Sequence, residues 1–295
     1  MDPEKPGDRA GLLVDIIMPT YSPDLGLMEK AIDSAIAQTY RDWRMVVAMD
    51  GPDDGVKKLV DKKGDPRITA MEMPHRGKSS TVNEAIEKTS GRFIAYLDDD
   101  DVWYPNHIEV CMDEMAGKGL SFVHTDVYEI QLLKKVSGSS VRKSKAVMNM
   151  GPLTDIFLWR IGHTNVMHER WLYEKVGSYD PDRKYYIDWD MFLRFADVAR
   201  PVHIPVITGE HYIFLDAEGK KLNRISRVHD QSETGMRFRE MILRSKHRLT
   251  DDDMMAMVDE MIYCRSMSWV HLLRRQISGI VKPRIRGVRD LLSKR

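Results

Sequence analysis

Phe93-Ile94-Ala95-Tyr96-Leu97-Asp98-Asp99-Asp100-Asp101 joins an apolar run of strand length to four consecutive carboxylates. Like charges packed this closely repel, so the run needs water, a helix end or a cation to be stable. A strand that delivers carboxylates to its C-terminal end is a common way to hold a hard divalent cation, Mg²⁺ or Mn²⁺, through oxygen and often jointly with a phosphate-bearing ligand. The plainer reading of the same residues is a solvated acidic turn, or the N-cap of a helix beginning near Pro105.

Working outward, the segments before this run alternate between two periodicities. Leu12 to Met18 is a short β-rich run halted by Pro19, and Leu27 to Gln38 carries the helical stripe Leu27, Ala31, Ile32, Ala35, Ile36. A second strand, Arg44 to Met49, ends at Asp50-Gly51-Pro52. A helix, a short strand over Ile68–Met71 and a helix over Ser79–Lys88 follow. Strand–helix alternation predicts right-handed crossovers and a mainly parallel sheet, which binds ligands beyond the C-terminal ends of its strands. Thr20-Tyr21-Ser22, Asp50-Gly51 and the acid run all fall there.

Beyond about residue 120 the pattern changes. Phe122 to Tyr128 reads as a strand, Lys134 to Lys145 as a solvated loop or hairpin tip, and Trp171–Val176 and Trp189–Val198 as helices on either side of Tyr186-Ile187-Asp188-Trp189-Asp190. From about Thr234 the methionine-rich spacing (Met236, Met241, Met254, Met257, Met261) predicts an all-helical extension whose stripe is either core packing or a recognition surface. From Cys264 to Arg295 nine Lys or Arg stand against one acid, Asp290, with apolar residues interleaved. That tail is either an ordinary exposed helix or an attachment to anionic membrane surfaces or nucleic acid, and the extension offers a surface for a homo-oligomer.

Bulk composition narrows the class. The 295 residues suffice for one large α/β domain with appendages, 31% are charged and the formal net charge is zero, so nothing biases the whole chain toward nucleic acid or acidic membranes. Two cysteines, Cys111 and Cys264, without a C-x-x-C pair exclude a disulfide framework and a cysteine-based zinc site. The polar start, Met1 to Arg9, lacks a signal-peptide core, and no window is long enough to span a bilayer; the expected location is the cytoplasm, with peripheral attachment at the inner membrane face as the tail's alternative.

In order along the chain stand Pro19-Thr20-Tyr21-Ser22, Ser34-Ala35-Ile36-Ala37-Gln38-Thr39-Tyr40-Arg41-Asp42-Trp43, Asp50-Gly51, Gly77-Lys78-Ser79 with Asn83, and Gly91 to Asp101 with Trp103 and Pro105. This succession resembles family 2 glycosyltransferases of the GT-A fold, over roughly residues 12 to 232. The resemblance implies an α/β, Rossmann-like, mainly parallel sheet flanked by helices, with a C-terminal helical extension. It divides the chain into a short N-terminus (1–11), a GT-A domain (12–232, with a nucleotide-binding half to 105 and an acceptor half from 106) and the extension (233–295).

Carried onto these positions, the resemblance makes Pro19, Thr20 and Tyr21 the lining of a nucleotide base, and gives Asp50 a hydrogen bond from the base, in this family commonly uracil N3–H. The family more often has two adjacent acids where this chain has Met49-Asp50. Asp98 would approach the ribose with Asp99 beside it, and Asp100 would hold Mn²⁺ or Mg²⁺, with the neighbouring aspartates as alternatives. Asp188 would be the base that takes the acceptor hydroxyl proton, the alternative being a helix cap with Asp190 as the functional acid. Arg227 and His229, in Arg227-Val228-His229, resemble an element that reaches the diphosphate or the metal. Arg76 and Lys78 would pair with phosphates and Asn83 would join them, while His163 is either a sugar contact or a packing residue.

The expected activity is inverting, metal-dependent transfer of a sugar from a nucleotide-sugar donor, a UDP-sugar, to a hydroxyl of a glycan, a lipid-linked glycan or another acceptor. Hydroxymethylated DNA bases are the alternative acceptor, and a catalytically silent nucleotide-sugar-binding scaffold is the alternative class. A nucleotidyltransferase would need a Gly-rich basic loop after the first strand, where Tyr21-Ser22-Pro23-Asp24 stands.

Overall fold

The structure is a computed structural model that describes residues 12–134, 140–146, 162–183 and 187–215. The chain divides into two units, Met1–Arg227 and Val228–Arg295. The second unit, including His229, the expected helical extension and the basic tail, lies outside the described residues, as does Arg227.

Strand β1 (Val14–Thr20) is buried along its whole length and lies inside the parallel part of the sheet, flanked by strands on both sides. Helix α1 (Leu25–Ile36), strand β2 (Trp43–Asp50), helix α2 (Asp54–Lys63), strand β3 (Ile68–Met73), helix α3 (Lys78–Glu87) and strand β4 (Phe93–Tyr96) follow. The order is β3-β2-β1-β4 and every pairing in it is parallel. The chain steps from β1 outward to β3, then returns to the other side of β1. A topological switch point therefore lies between the C-terminal ends of β1 and β4, directly above the acid run.

Beyond β4 the sheet is mixed. Strand β5 (Val102–Trp103) and helix α4 (His107–Lys118) lead into the long strand β6 (Phe122–Lys134), which forms a hairpin with β7 (Ser140–Ala146). A 3₁₀ turn (His163–Asn165), strand β8 (Val166–Glu169), helices α5 (Arg170–Val176) and α6 (Ile187–Ala196) and strand β9 (Val202–Leu215) complete the described chain. Strand β8 runs antiparallel between β4 and β6, and β9 pairs with β6 in parallel and with β5 antiparallel. Among the described residues no helix is long and apolar enough to cross a membrane.

Two of the boundaries that differ from the sequence reading have identifiable reasons. Pro19 does not stop β1, because at that level the strand is paired with β2 alone, opposite Ala48, and its missing N–H costs no ladder bond toward β4. Helix α1 starts earlier than its apolar stripe, since the Asp24 carboxylate caps it by accepting from the N–H groups of Gly26 and Leu27.

One face of the sheet packs Val14, Ile16, Met18, Met45, Val47 and Phe93 against α1, α2 and α4. On the other face a buried ion cluster fastens the bottom of the sheet. The Asp15 carboxylate, fully buried, accepts from Arg44 Nε at 2.5 Å, Arg170 at 2.5 Å and the Gly91 N–H at 2.6 Å. Arg170 also donates to the Ile86 and Gly91 carbonyls and to the Thr89 hydroxyl. Position 91 tolerates only glycine here, since a Cβ would lie 2.8 Å from Asp15 Cγ and from the Leu13 carbonyl oxygen. Asp15→Ala leaves Arg170 in place with its carboxylate removed. It is expected to cost roughly 3–5 kcal/mol, read as a lowered urea midpoint; a loss below about 1 kcal/mol would show that the cluster does not hold the sheet.

Candidate active site at the switch point

The four aspartates have four different environments. Asp98, just past β4, accepts from Lys78 Nζ at 2.7 Å, which ties the first turn of α3 to the strand end. Burial opposes ionisation of Asp98, yet the Lys78 ammonium, with His163 and His211, brings its carboxyl down to about 2. Lys78 moves the other way. Burial would lower its pKa, but Asp98, with Asp188 and Asp99 beyond it, raises it above the ordinary lysine value. Asp99 accepts from the Thr20 hydroxyl at 2.5 Å, closing the gap between β1 and β4. Burial and the Asp98 charge still hold its carboxyl above the usual range, against that hydrogen bond.

Asp101 is buried and fully engaged. It accepts from the Thr164 hydroxyl in the 3₁₀ turn, from the Tyr212 N–H at 2.9 Å and from His211 Nδ1 on β9 at 3.0 Å. Asp100 has no hydrogen bond or ion pair among the described residues. Burial, then the charges of Asp101, Asp98 and Asp99, push its carboxyl up to about 8. The acid run does not cap α4, whose N-cap is Asn106.

Next to the run lies an open cleft of about 250 Å³ lined by Thr20, Tyr21, Met49, Asp50 and His75 among others. The Tyr21 and His75 rings stack, centroids 4.5 Å apart and planes within 16°. Asp50, at the end of β2, is buried beneath them and accepts from the Arg76 N–H at 2.8 Å, the Gly77 N–H at 3.1 Å and His75 Nδ1 at 3.0 Å. The carboxylate expected to meet a base thus also organises the 75–77 loop. Ser22, two residues beyond β1, has a φ of 47°, a left-handed conformation that a non-glycine residue adopts at a cost, and lines the cleft with Pro23.

Several expected residues do something else. The Arg76 guanidinium is more than half exposed and paired with Glu84 at 2.7 Å. The Asn83 carboxamide bonds the 173–179 segment, donating to the Tyr179 carbonyl and accepting from the Tyr179 N–H and Tyr173 hydroxyl. His163 has packing partners within the protein. It is buried, stacks on Tyr96 at 4.7 Å and bonds Tyr179 through Nε2, and burial with the nearby Lys78 charge takes it down to about 4.

Asp188 and Asp190 sit in the first turn of α6 and have different partners. Asp190 is buried and ion-paired with Arg183 and Arg194, each at 3.1 Å, and Arg194 in turn ties down the carbonyls of Val176, Gly177 and Ser178. Asp188 has no ion pair among the described residues, and its charge acts on Lys78 and His163, on the acid-run side. Sequence reasoning missed His75 and His211. Adjacency to Gly77-Lys78 was a usable signal for the first; no local pattern marks the second. Among the described residues no group of three or more His, Cys, Asp or Glu side chains is arranged to hold a metal by itself.

The unequal environments lead to a pH-dependent contrast in chelator-treated protein. Asp100 titrates near 8 when folded against an ordinary value of 3.8, so the folded state binds the extra proton. Its contribution is therefore present below about pH 4 and lost as pH rises toward 8. Asp100→Asn mimics the protonated form and is expected to match wild type near pH 4 and to exceed it increasingly up to pH 8 in thermal or urea unfolding. Asp101→Asn, which breaks a satisfied buried cluster, is expected to be less stable throughout.

The model of the Glycosyl transferase family 2 matches residues 15–175, more than half of the chain. The UDP-Glc:alpha-D-GlcNAc-diphosphoundecaprenol beta-1,3-glucosyltransferase WfgD of Escherichia coli is 33% identical over 138 residues, 46% of this chain and 54% of that protein. Chondroitin synthase of Pasteurella multocida is 26% identical over 65% of this chain and 20% of its own length. The chain spans less than two thirds of the length of these relatives. Among solved structures, S. aureus TarS 1–349 in complex with UDP-GlcNAc superposes with a TM-score of 0.59 at 14% identity, covering 92% of this chain and 77% of that one. The mannosyltransferase PcManGT from Pyrobaculum calidifontis, in complex with GDP-Man and Mn²⁺, also gives 0.59 at 14% identity, over 95% and 78%. At that identity the likeness is one of fold, a mixed α/β sheet flanked by helices of the GT-A type. With its sequence matched from the first strand through α5, the chain belongs to glycosyl transferase family 2.

Proposed function

We propose that the chain transfers a sugar from a nucleotide-sugar donor, a UDP-sugar, to an acceptor hydroxyl with inversion at the anomeric carbon. The observation that carries this reading is Asp100, the one member of the acid run without a partner among the described residues, next to an aromatic-walled cleft at the switch point. A stacked Tyr21–His75 wall suits a planar base, and the donor complexes of TarS and PcManGT support a nucleotide sugar in this fold.

The residues present fit a hard divalent cation. An uncompensated carboxylate, flanked by others and buried enough to resist ionisation, is stabilised by a cation that needs only one or two protein oxygens and completes its shell with phosphates. When bound there, Mn²⁺ or Mg²⁺ would neutralise the charge on the departing diphosphate. The chain's own residues do the rest. Asp188 takes the proton of the acceptor hydroxyl as its oxygen bonds to the anomeric carbon and the bond to the diphosphate breaks. Lys78 keeps Asp98 ionised and in place, and Asp190 fixes the helix that carries Asp188 through Arg183 and Arg194. The relative acting on a diphosphoundecaprenol glycan and the basic tail both support a lipid-linked glycan as the acceptor class.

Two variants separate the roles. Asp188→Asn is expected to leave UDP affinity nearly unchanged and to lower turnover on the order of 10²-fold or more, the loss of a general base. Asp100→Asn is expected to abolish the Mn²⁺-dependent part of UDP binding in calorimetry. Wild-type turnover in the first, or wild-type binding in the second, would move the role to another carboxylate.

A further inference from the structure

In the cleft, His75 is tied down on one side and open on the other. Its Nδ1 lies 3.0 Å from Asp50 Oδ2 and 3.2 Å from the Asp50 carbonyl oxygen. Both are acceptors, so Nδ1 carries the ring hydrogen and Nε2 is left with a lone pair. Nε2 has no hydrogen-bond partner among the described residues, and the side chain is 59% exposed above a carboxylate that is 7% exposed. The stack on Tyr21 fixes the plane of the ring. At 4.5 Å between centroids the two rings admit nothing between them, since a sandwiched base needs two contacts of about 3.5 Å each. A base in the cleft therefore meets this imidazole at its outer edge or outer face. Asp50, by contrast, is poorly placed to meet a base itself. Its Oδ1 accepts from the Arg76 and Gly77 N–H groups, and its Oδ2 from His75 and, at 3.1 Å, from the same Gly77 N–H. Those contacts take up the lone-pair directions of a carboxylate. Asp53, the other carboxylate lining the cleft, caps α2 by accepting from the Val56 N–H.

We propose that His75 determines the base specificity of the donor site by accepting the N3–H of a uracil at Nε2, and that Asp50 is its positioning residue. This rests on the nucleotide-sugar reading above. Uracil presents one ring N–H between two carbonyl oxygens, and a single lone pair on a fixed ring matches one donor. Guanine presents two donors side by side, N1–H and an amino N–H, which suit a carboxylate with both oxygens open; both oxygens of Asp50 are engaged. Cytosine carries a lone pair at N3, which would face the lone pair of Nε2. An acceptor of this kind selects uracil over both. The bonds from Asp50 to the 75–77 loop then have a purpose beyond shaping the loop: they put the hydrogen on Nδ1 and so decide that the open nitrogen accepts.

The test is one of base discrimination. With Mg²⁺ present, wild type is expected to bind UDP more tightly than CDP or GDP in calorimetry. His75→Asn keeps an amide N–H directed at Asp50 and removes the outer lone pair together with the ring. Loss of the ring weakens every nucleotide alike, so the expected signature is a UDP affinity that falls about 10-fold further than the CDP affinity, the range for one hydrogen bond whose donor is left unpaired. Asp50→Asn turns an amide N–H toward Nδ1, moves the ring hydrogen to Nε2, and is expected to narrow the preference for UDP over CDP. Equal losses of UDP and CDP in His75→Asn overturn the inference, since they mark a stacking or structural residue, and so does an unchanged UDP affinity; an unchanged preference in Asp50→Asn overturns the positioning role. Wild type supplies a measurement that needs no variant. In its complex with ¹⁵N-labelled UDP and Mg²⁺, an N–H···N bond is expected to give an NMR scalar coupling between uracil N3 and His75 Nε2, and a missing coupling overturns the inference by placing N3–H on an oxygen. Tighter binding of GDP than of UDP overturns it while leaving a nucleotide sugar as the donor. Wild type that binds none of the three nucleotides overturns the nucleotide-sugar reading and this inference with it.

Discussion

Repulsion within Asp98–Asp101 is the constraint around which the upper half of the molecule is arranged. Each of three carboxylates is met by a different element: α3 sends Lys78 to Asp98, β1 sends Thr20 to Asp99, and β9 with the 3₁₀ turn sends His211, Tyr212 and Thr164 to Asp101. Those contacts span the sheet from its centre to its far strands, so compensating the charge also assembles the site. Asp100 is left over, without a hydrogen bond or ion pair among the described residues, and burial with its neighbours' charges resists its ionisation.

A second charge cluster does the opposite work at the other end of β1. Asp15 is as buried as Asp101, yet two arginines and a backbone N–H satisfy it and no ligand is called for. The strand thus begins at a closed ionic lock and ends beside an open one. The contrast is one of stoichiometry: two guanidinium groups share one carboxylate at the bottom, four carboxylates share one ammonium and one imidazole at the top.

Much of this was legible in the sequence. Alternating periodicity predicted that β1 to β4 are parallel, though not their order, because the chain is locally consistent there. The acid run was visible for the same reason, lying contiguous with its strand. Partner choice was not legible. Whether Asn83 meets a ligand or the Tyr179 backbone, and whether Arg76 faces phosphate or Glu84, depends on residues far away in sequence or on side-chain direction. His211 is the clearest case: it stands in a long strand of ordinary alternation, and only the pairing of β9 with β5 and β6 brings it to Asp101, 110 positions earlier.

Ser34 and Gln38, part of the stretch that carries the family resemblance, touch no part of the cleft. The Ser34 hydroxyl accepts from the Trp103 N–H, and the buried Gln38 carboxamide bonds the Tyr104 carbonyl and the Ile108 N–H, while the Trp103 indole donates to the Thr164 carbonyl. Two of these bonds, from the Ile108 N–H to Gln38 and from the Trp103 indole to Thr164, cross residue 105. Cutting the chain there would strand the Gln38 amide oxygen and the Trp103 indole on one side and the Ile108 N–H and the Thr164 carbonyl on the other. A fragment ending at 105 would therefore carry unpaired buried groups on both sides of the cut, and residue 105 is not a seam at which the fold can be divided.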